Sequence, residues 1–148
     1  MGIAFLFFLP LDGRQTISMV SDILLADEDQ DDIYSFRVAL SYVSKSITVT
    51  VVNDGNQLMN YLAKQIPDAL FLDARLPSKD GFECIQEIRS DARYSSLPVI
   101  ILTGFDQYFI RELFIKQGAD YFLTKPPSIG ELSNKLEDIL IKDWPLRT

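Results

Sequence analysis

Five short apolar runs recur along the chain: "ILLA" (23–26), "ITVTVV" (47–52), "ALFL" (69–72), "VIIL" (99–102) and "YFL" (121–123). Most are continuous rather than alternating in polarity, and β-branched, aromatic or leucine side chains dominate them. Continuous runs of this length are expected of parallel strands covered on both faces. The segments between them follow helical spacing instead. Ile33, Phe36, Leu40 and Val43 form one stripe, Leu58 and Leu62 a second, and Phe82, Ile85 and Ile88 a third. Phe109, Ile110, Leu113 and Phe114 form a fourth, and Ile129, Leu132, Leu136 and Ile139 a fifth. Each places its apolar residues on one side of a helix. Start signals agree: Asn53–Asp54–Gly55 turns into the second helix, Asp106 opens the fourth, and Ser128 with Glu131 reads as a capping box for the fifth.

Strand and helix therefore alternate five times, which predicts an α/β fold with a parallel sheet and helices on both faces. With 148 residues, one domain is expected. Its limits are read as 21–141, with an apolar leader over 1–20 and a short tail over 142–148. The leader "GIAFLFFLPL" is too short to span a bilayer, and Pro10 interrupts it. No basic residue precedes Arg14, so it does not read as a signal peptide. Two readings of it stand: translation starting at Met19, or an extension packed on the domain or a partner.

Hydrophobic residues make up 47% of the chain and charged residues 24%, an ordinary globular balance. A formal net charge of −7 argues against non-specific nucleic-acid binding, which needs a basic surface. There is no histidine, which excludes Ser-His and Cys-His catalysis and histidine ligation of metals. The single cysteine, Cys84, excludes an internal disulfide and reads as core on the third helix.

In an open α/β sheet, ligands bind beyond the carboxyl ends of the strands. Asp27 and Glu28 follow the first run, Asp73 the third, Thr103 and Gly104 the fourth, and Lys125 the fifth. Acids from two strand ends suit a hard cation held by oxygen, such as Mg²⁺ or Mn²⁺. A lysine and a hydroxyl suit the oxygens of a phosphoryl group. A carboxylate beside them can serve as a nucleophile and form an acyl phosphate.

"ILLADED", "LFLDARLPSKDG", "PVIILTG" and "GADYFLTKPP" together resemble the receiver domain of two-component response regulators. The resemblance covers about residues 21–140. It implies a flavodoxin-like sheet of order 2-1-3-4-5 and a cytoplasmic bacterial signalling protein, not an enzyme beyond assisting its own phosphorylation and dephosphorylation. It makes Asp73 the phosphoacceptor, with Asp27 and Glu28 as the acidic pair at the metal. Arg75 would give the metal its backbone carbonyl, and Thr103 and Lys125 would bind phosphoryl oxygens. Phe122, three residues before the lysine, takes the place of an aromatic that changes rotamer on activation. Gly104 stands where alanine is frequent and should leave phosphoryl access open, while Arg75 and Phe105 occupy positions that tune the phosphoryl lifetime.

The partners implied are a sensor histidine kinase or a histidine phosphotransfer protein, a downstream protein of unknown identity, and a second copy through the helix 4–strand 5–helix 5 face. No membrane or nucleic acid is expected, and output is expected through protein contact by a stand-alone receiver. The apolar breadth of "FDQYFIRELFIKQ" fits either a wide core-facing surface or a partner surface on the fourth helix.

Two other readings compete. One is a pseudo-receiver that binds partners without phosphorylation. The other is an aspartyl-phosphate phosphohydrolase with Asp27 as nucleophile and Asp29 as acid/base, which leaves the Asp73 motif unexplained. A calcium loop in "DEDQDD" fails because Asp32 and Val38 stand where glycine and glutamate are needed. The acid run itself divides as follows. Asp27 and Glu28 face the metal, Asp29 is a turn residue, and Asp31 and Asp32 favour the helix dipole and point away from the site.

Overall fold

The computed structural model describes residues 8–11, 14–17, 20–104 and 108–142. Two short strands, β1 (Phe8–Leu11) and β2 (Arg14–Ile17), pair antiparallel, Phe8 opposite Ile17 and Leu11 opposite Arg14. They fall within the predicted leader. The rest of the leader up to Met19, Phe105, Asp106 and the tail beyond residue 142 lie outside the described residues, while Val20 is buried in the core.

The main sheet holds β3 (Asp22–Ala26), β4 (Thr48–Val52), β5 (Ala69–Leu72), β6 (Val99–Thr103) and β7 (Tyr121–Thr124). All pairs are parallel, in the order β4-β3-β5-β6-β7. Counted from β3, this is the expected 2-1-3-4-5. Helices α1 (Gln30–Val43), α2 (Gly55–Lys64), α3 (Gly81–Arg89), α4 (Tyr108–Lys116) and α5 (Ile129–Glu137) make the crossovers, and α5 runs on into a π turn over Asp138–Lys142. No described helix is long and apolar enough to cross a membrane.

Because successive strand residues face opposite ways, the sheet divides the core in two. Leu25, Phe71 and Ile100 pack with Phe36, Leu40, Leu132 and Leu136 from α1 and α5. Leu24, Leu70, Leu72 and Ile101 pack with Leu58, Leu62, Ile85, Ile88 and Phe114 from α2, α3 and α4. Four of the five predicted stripes face inward in this way. The fourth does so only in part, because Phe114 is buried while Phe109 and Leu113 are 60% and 42% exposed. A nine-residue helix has room for one narrow apolar stripe against the sheet. Its remaining large residues must face solvent or a partner.

Caps set the helix starts. Asp54 accepts from the Gln57 N–H at α2, and Ser128 accepts from the Glu131 N–H at α5. The full reciprocal box forms at α3, where Asp80 and Glu83 each bond the other's backbone N–H. Cys84 is buried in α3 as expected, and burial pushes its thiol up to about 12, so it is held protonated.

β3 begins one residue before its apolar run, at Asp22, because the ladder continues through a polar residue paired with Thr48. Here the chain places two carboxyls together. Asp68 accepts the Ser21 and Asp22 N–H groups at 2.7 and 3.0 Å. Burial, a hydrogen bond shared with Asp68 and repulsion from it push Asp22 up to about 6 from 3.8. A raised acid favours the protonated fold, so its stabilisation is complete below about pH 4 and is lost as pH rises through about 6. Asp22→Asn imitates the protonated form. It should melt above the parent at neutral pH, by about 1 kcal/mol after allowing for partial exposure, and match it near pH 4. Thermal melts across that range are the check.

Candidate functional site

The carboxyl ends of β3, β5, β6 and β7 meet at one edge of the sheet, where a cleft of about 350 Å³ opens. Asp27, Glu28, Asp73, Arg75, Thr103, Gly104 and Lys125 line it, joined by Asp29 and Asp32. Backbone bonds fix the spacing of these residues. The Asp27 N–H reaches Val52 O at 3.0 Å and the Asp73 N–H reaches Ala26 O at 2.9 Å, so each acid continues a strand ladder by one residue. The Lys125 N–H likewise donates to Thr103 O at 2.7 Å. The site residues therefore inherit the rigidity of the buried strands beneath them.

Asp73 rests on the start of α3. A Cβ at Gly81 would lie 2.4 Å from the Asp73 carbonyl, so only glycine permits this approach. The glycine of "KDG" thus supports the acid eight residues before it. At Gly104 a Cβ would meet nothing within 4 Å, so open space lies on that side of the cleft.

Lys125 is the centre of the site. Its Nζ donates to Asp32 Oδ2 at 2.6 Å, Asp73 Oδ2 at 2.7 Å and Asp27 Oδ2 at 3.0 Å. Burial alone would lower the ammonium's pKa, but the bonds from Asp32, Asp73 and Asp27 outweigh it and hold the group above its ordinary range. Lys125 therefore stays charged. Burial raises Asp27 above the usual carboxylate range, against the opposing pull of the Asp29 N–H and Lys125. The remaining oxygens are also oriented: Asp27 Oδ1 accepts from the Asp29 N–H, and Asp73 Oδ1 from the Arg75 N–H, both at 2.9 Å.

The acid run divides differently from the sequence expectation. Asp29 is the N-cap of α1, its Oδ1 accepting from the Asp31 and Asp32 N–H groups at 2.8 and 3.2 Å. Asp31 is exposed, but Asp32 turns into the cleft rather than away from it. Oxygens of Asp27, Asp32 and Asp73 lie within 4.8 Å of one another, a group among the described residues that could hold a metal. Glu28 lines the cleft but is exposed and outside that group. The sequence signal for Asp32 was present: it lies four residues before buried Phe36 and eight before buried Leu40, on the inward side of α1.

Phe122 is buried behind the cleft rather than in it. Its ring centroid is 6.1 Å from that of Phe114, and the Arg111 guanidinium sits 4.9 Å over its face. Arg111 Nη1 also donates to Phe122 O at 3.2 Å. A second hollow of about 290 Å³ lies nearby, lined largely by Ala74, Phe82, Ile110, Leu113 and Phe114. Arg75 and Asp80 complete its lining, which is otherwise apolar.

The family model for the response regulator receiver domain matches residues 23–137. The response regulator MprA of Mycobacterium leprae is 33% identical over 123 residues, covering 83% of this chain and 52% of that protein. The chain thus spans about half the length of the curated relatives it matches. Among solved structures, the phosphorylated cyanobacterial phytochrome response regulator RcpA aligns with a TM-score of 0.76 at 26% identity, covering 86% of this chain and 95% of that one. The Mn²⁺-bound form of response regulator Rcp1 aligns with a TM-score of 0.73 at 24% identity over 86% and 96%, a likeness of fold.

Proposed function

Because this chain belongs to the response regulator receiver domain family, we propose that it takes a phosphoryl group onto Asp73 from a histidine kinase or a histidine phosphotransfer protein. The observation that carries this reading is the 2.7 Å bond between Asp73 and the Lys125 ammonium at the open edge of the sheet. In the transfer, an Asp73 oxygen forms a bond to phosphorus as the donor's P–N bond breaks. The electron pair leaves with the imidazole nitrogen. Lys125 and the Thr103 hydroxyl receive the phosphoryl oxygens, and Gly104 leaves room for them. The chain assists only its own phosphorylation and the hydrolysis that reverses it.

A hard divalent cation, Mg²⁺ or Mn²⁺, fits the all-oxygen donor set, where an ammonium already lies among clustered carboxylates. Asp27, Asp73, Glu28 and the Arg75 carbonyl would hold it. When bound, it would neutralise charge on the transferring group.

Output in this reading is contact with a downstream protein or a second copy through α4, β7 and α5, where Phe109, Leu113 and Ile115 are exposed. The protein acts in the cytoplasm. Phe109→Ser with Leu113→Ser should leave phosphorylation within about twofold and weaken the phosphorylation-dependent contact at least tenfold, because exposed apolar anchors carry such contacts. Association measured with and without phosphodonor reads this.

The direct test is incubation with Mg²⁺ and acetyl phosphate, followed by intact mass. One added phosphoryl group, removed by hydroxylamine, is expected. No label from acetyl phosphate or from a phosphohistidine donor would favour a phosphorylation-independent binding module.

A further inference from the structure

Three carboxylates share the Lys125 ammonium, and two of them change during the proposed reaction. Asp73 loses its carboxylate charge when it gains the O–P bond and the donor leaves with its electron pair. Asp27 is needed by the cation. Asp32 is assigned to neither event in that reading, although its oxygen lies near those of Asp27 and Asp73, and it makes the shortest of the three contacts, at 2.6 Å. It stands on the first turn of α1, where the Asp29 cap holds its N–H at 3.2 Å. Its side chain is 39% exposed, against 3% for Asp27 and 13% for Asp73, so it borders the cleft rather than filling its floor.

We propose, resting on the phosphoacceptor reading, that Asp32 is a positioning residue for Lys125. It keeps the ammonium over the site while the bonds to Asp73 and Asp27 are exchanged for phosphoryl oxygens. A lysine side chain is long and loses much rotamer freedom when held. A contact that persists before and after transfer means that this ordering is already present in the resting protein. Positioning of this kind raises the transfer rate without touching the reacting atoms. The geometry also explains why an acid is tolerated beside two others: Lys125 is shared among all three.

The test uses the full chain with acetyl phosphate and saturating Mg²⁺, alongside trifluoroberyllate as a phosphoryl mimic. Asp32→Ala should slow the maximal rate of Asp73 labelling about tenfold and weaken trifluoroberyllate by a similar factor. Mg²⁺ affinity should change less than about threefold, since a lost charge nearby matters less than a lost ligand. Asp32→Asn, which keeps an acceptor at the same place, should recover most of the rate. Asp32→Leu keeps the size without the acceptor and should behave as alanine does, which covers an alanine variant that fails to fold.

Labelling of the alanine and leucine variants at the parental rate would overturn the proposal and leave the phosphoacceptor reading intact. A tenfold or greater loss of Mg²⁺ affinity in step with the rate would overturn it in favour of Asp32 as a metal ligand. A parent chain that takes no label would overturn both readings.

Discussion

Asp73→Asn should take no phosphoryl group from acetyl phosphate under conditions that label the parent fully, a loss of at least about a thousandfold in rate. An amide nitrogen is no nucleophile here, and an amide oxygen is a poor one. The variant should still fold. Its Oδ1 can keep the Arg75 N–H bond seen at 2.9 Å, and Lys125 retains Asp27 and Asp32. Removing one of three neighbouring negative charges also relieves repulsion, so stability should stay within about 1 kcal/mol of the parent. Mass spectrometry with urea melts reads both halves of the expectation. Asp27→Asn is the informative companion. It should weaken Mg²⁺ and slow labelling while leaving Asp73 as the labelled residue. Label that survives Asp73→Asn and disappears in Asp27→Asn would move the nucleophile to Asp27 and favour the phosphohydrolase reading.

Arg89→Met should cost about 3–5 kcal/mol, a large part of the roughly 5–15 kcal/mol that holds a domain of this size together. The guanidinium donates to Gly118 O at 2.9 Å, Tyr94 O at 2.8 Å, Leu97 O at 2.8 Å and Asp120 Oδ2 at 3.1 Å. Asp120 in turn accepts the Val99 N–H at 2.8 Å where β6 begins. The two side chains are only 12% and 7% exposed. Methionine would leave three carbonyls and a carboxylate without these donors in poorly hydrated surroundings. Arg89→Lys should recover little, because a single ammonium cannot reproduce the planar fork. The double variant Arg89→Met with Asp120→Asn should cost less than the sum of the two single changes, since the second removes the stranded charge. Urea midpoints for the four proteins provide the measurement.

The difference between Arg89 and Asp73 as sequence features is instructive. Asp73 follows an apolar run, so its place at a strand end could be read from polarity alone. Asp27, Thr103 and Lys125 were legible for the same reason, whereas polarity gave only the alternation of strand and helix and the order of the strands followed from the family resemblance. Arg89 ends an amphipathic helix, where a basic residue ordinarily complements the dipole, and nothing local says that three distant carbonyls converge on it. Asp32 was misread by the same ordinary rule. Helix-start acids do favour the dipole, and exposed Asp31 conforms, but the next residue lies about 100° further round the helix and meets Lys125. The pairing of Asp22 with Asp68 was hidden because it joins positions on separate strand-and-helix units. On α4, apolar content was visible, but which of its residues would be buried depended on how little sheet surface remained to cover.

The central sheet is a partition as well as a scaffold. Lys125 and Asp32 belong to the side of α1 and α5, whereas Phe122 projects into the opposite compartment with Phe114, which meets Phe82 edge to face. Phe36 and Phe71 form their own edge-to-face pair on the first side, 5.0 Å between centroids. Phe122 touches the aromatics beneath α4, with its ring tilted 46° to that of Phe114, and belongs to a different cluster from the Phe36–Phe71 pair. The two aromatic groups thus lie in separate compartments, and what divides them is the thickness of a single sheet.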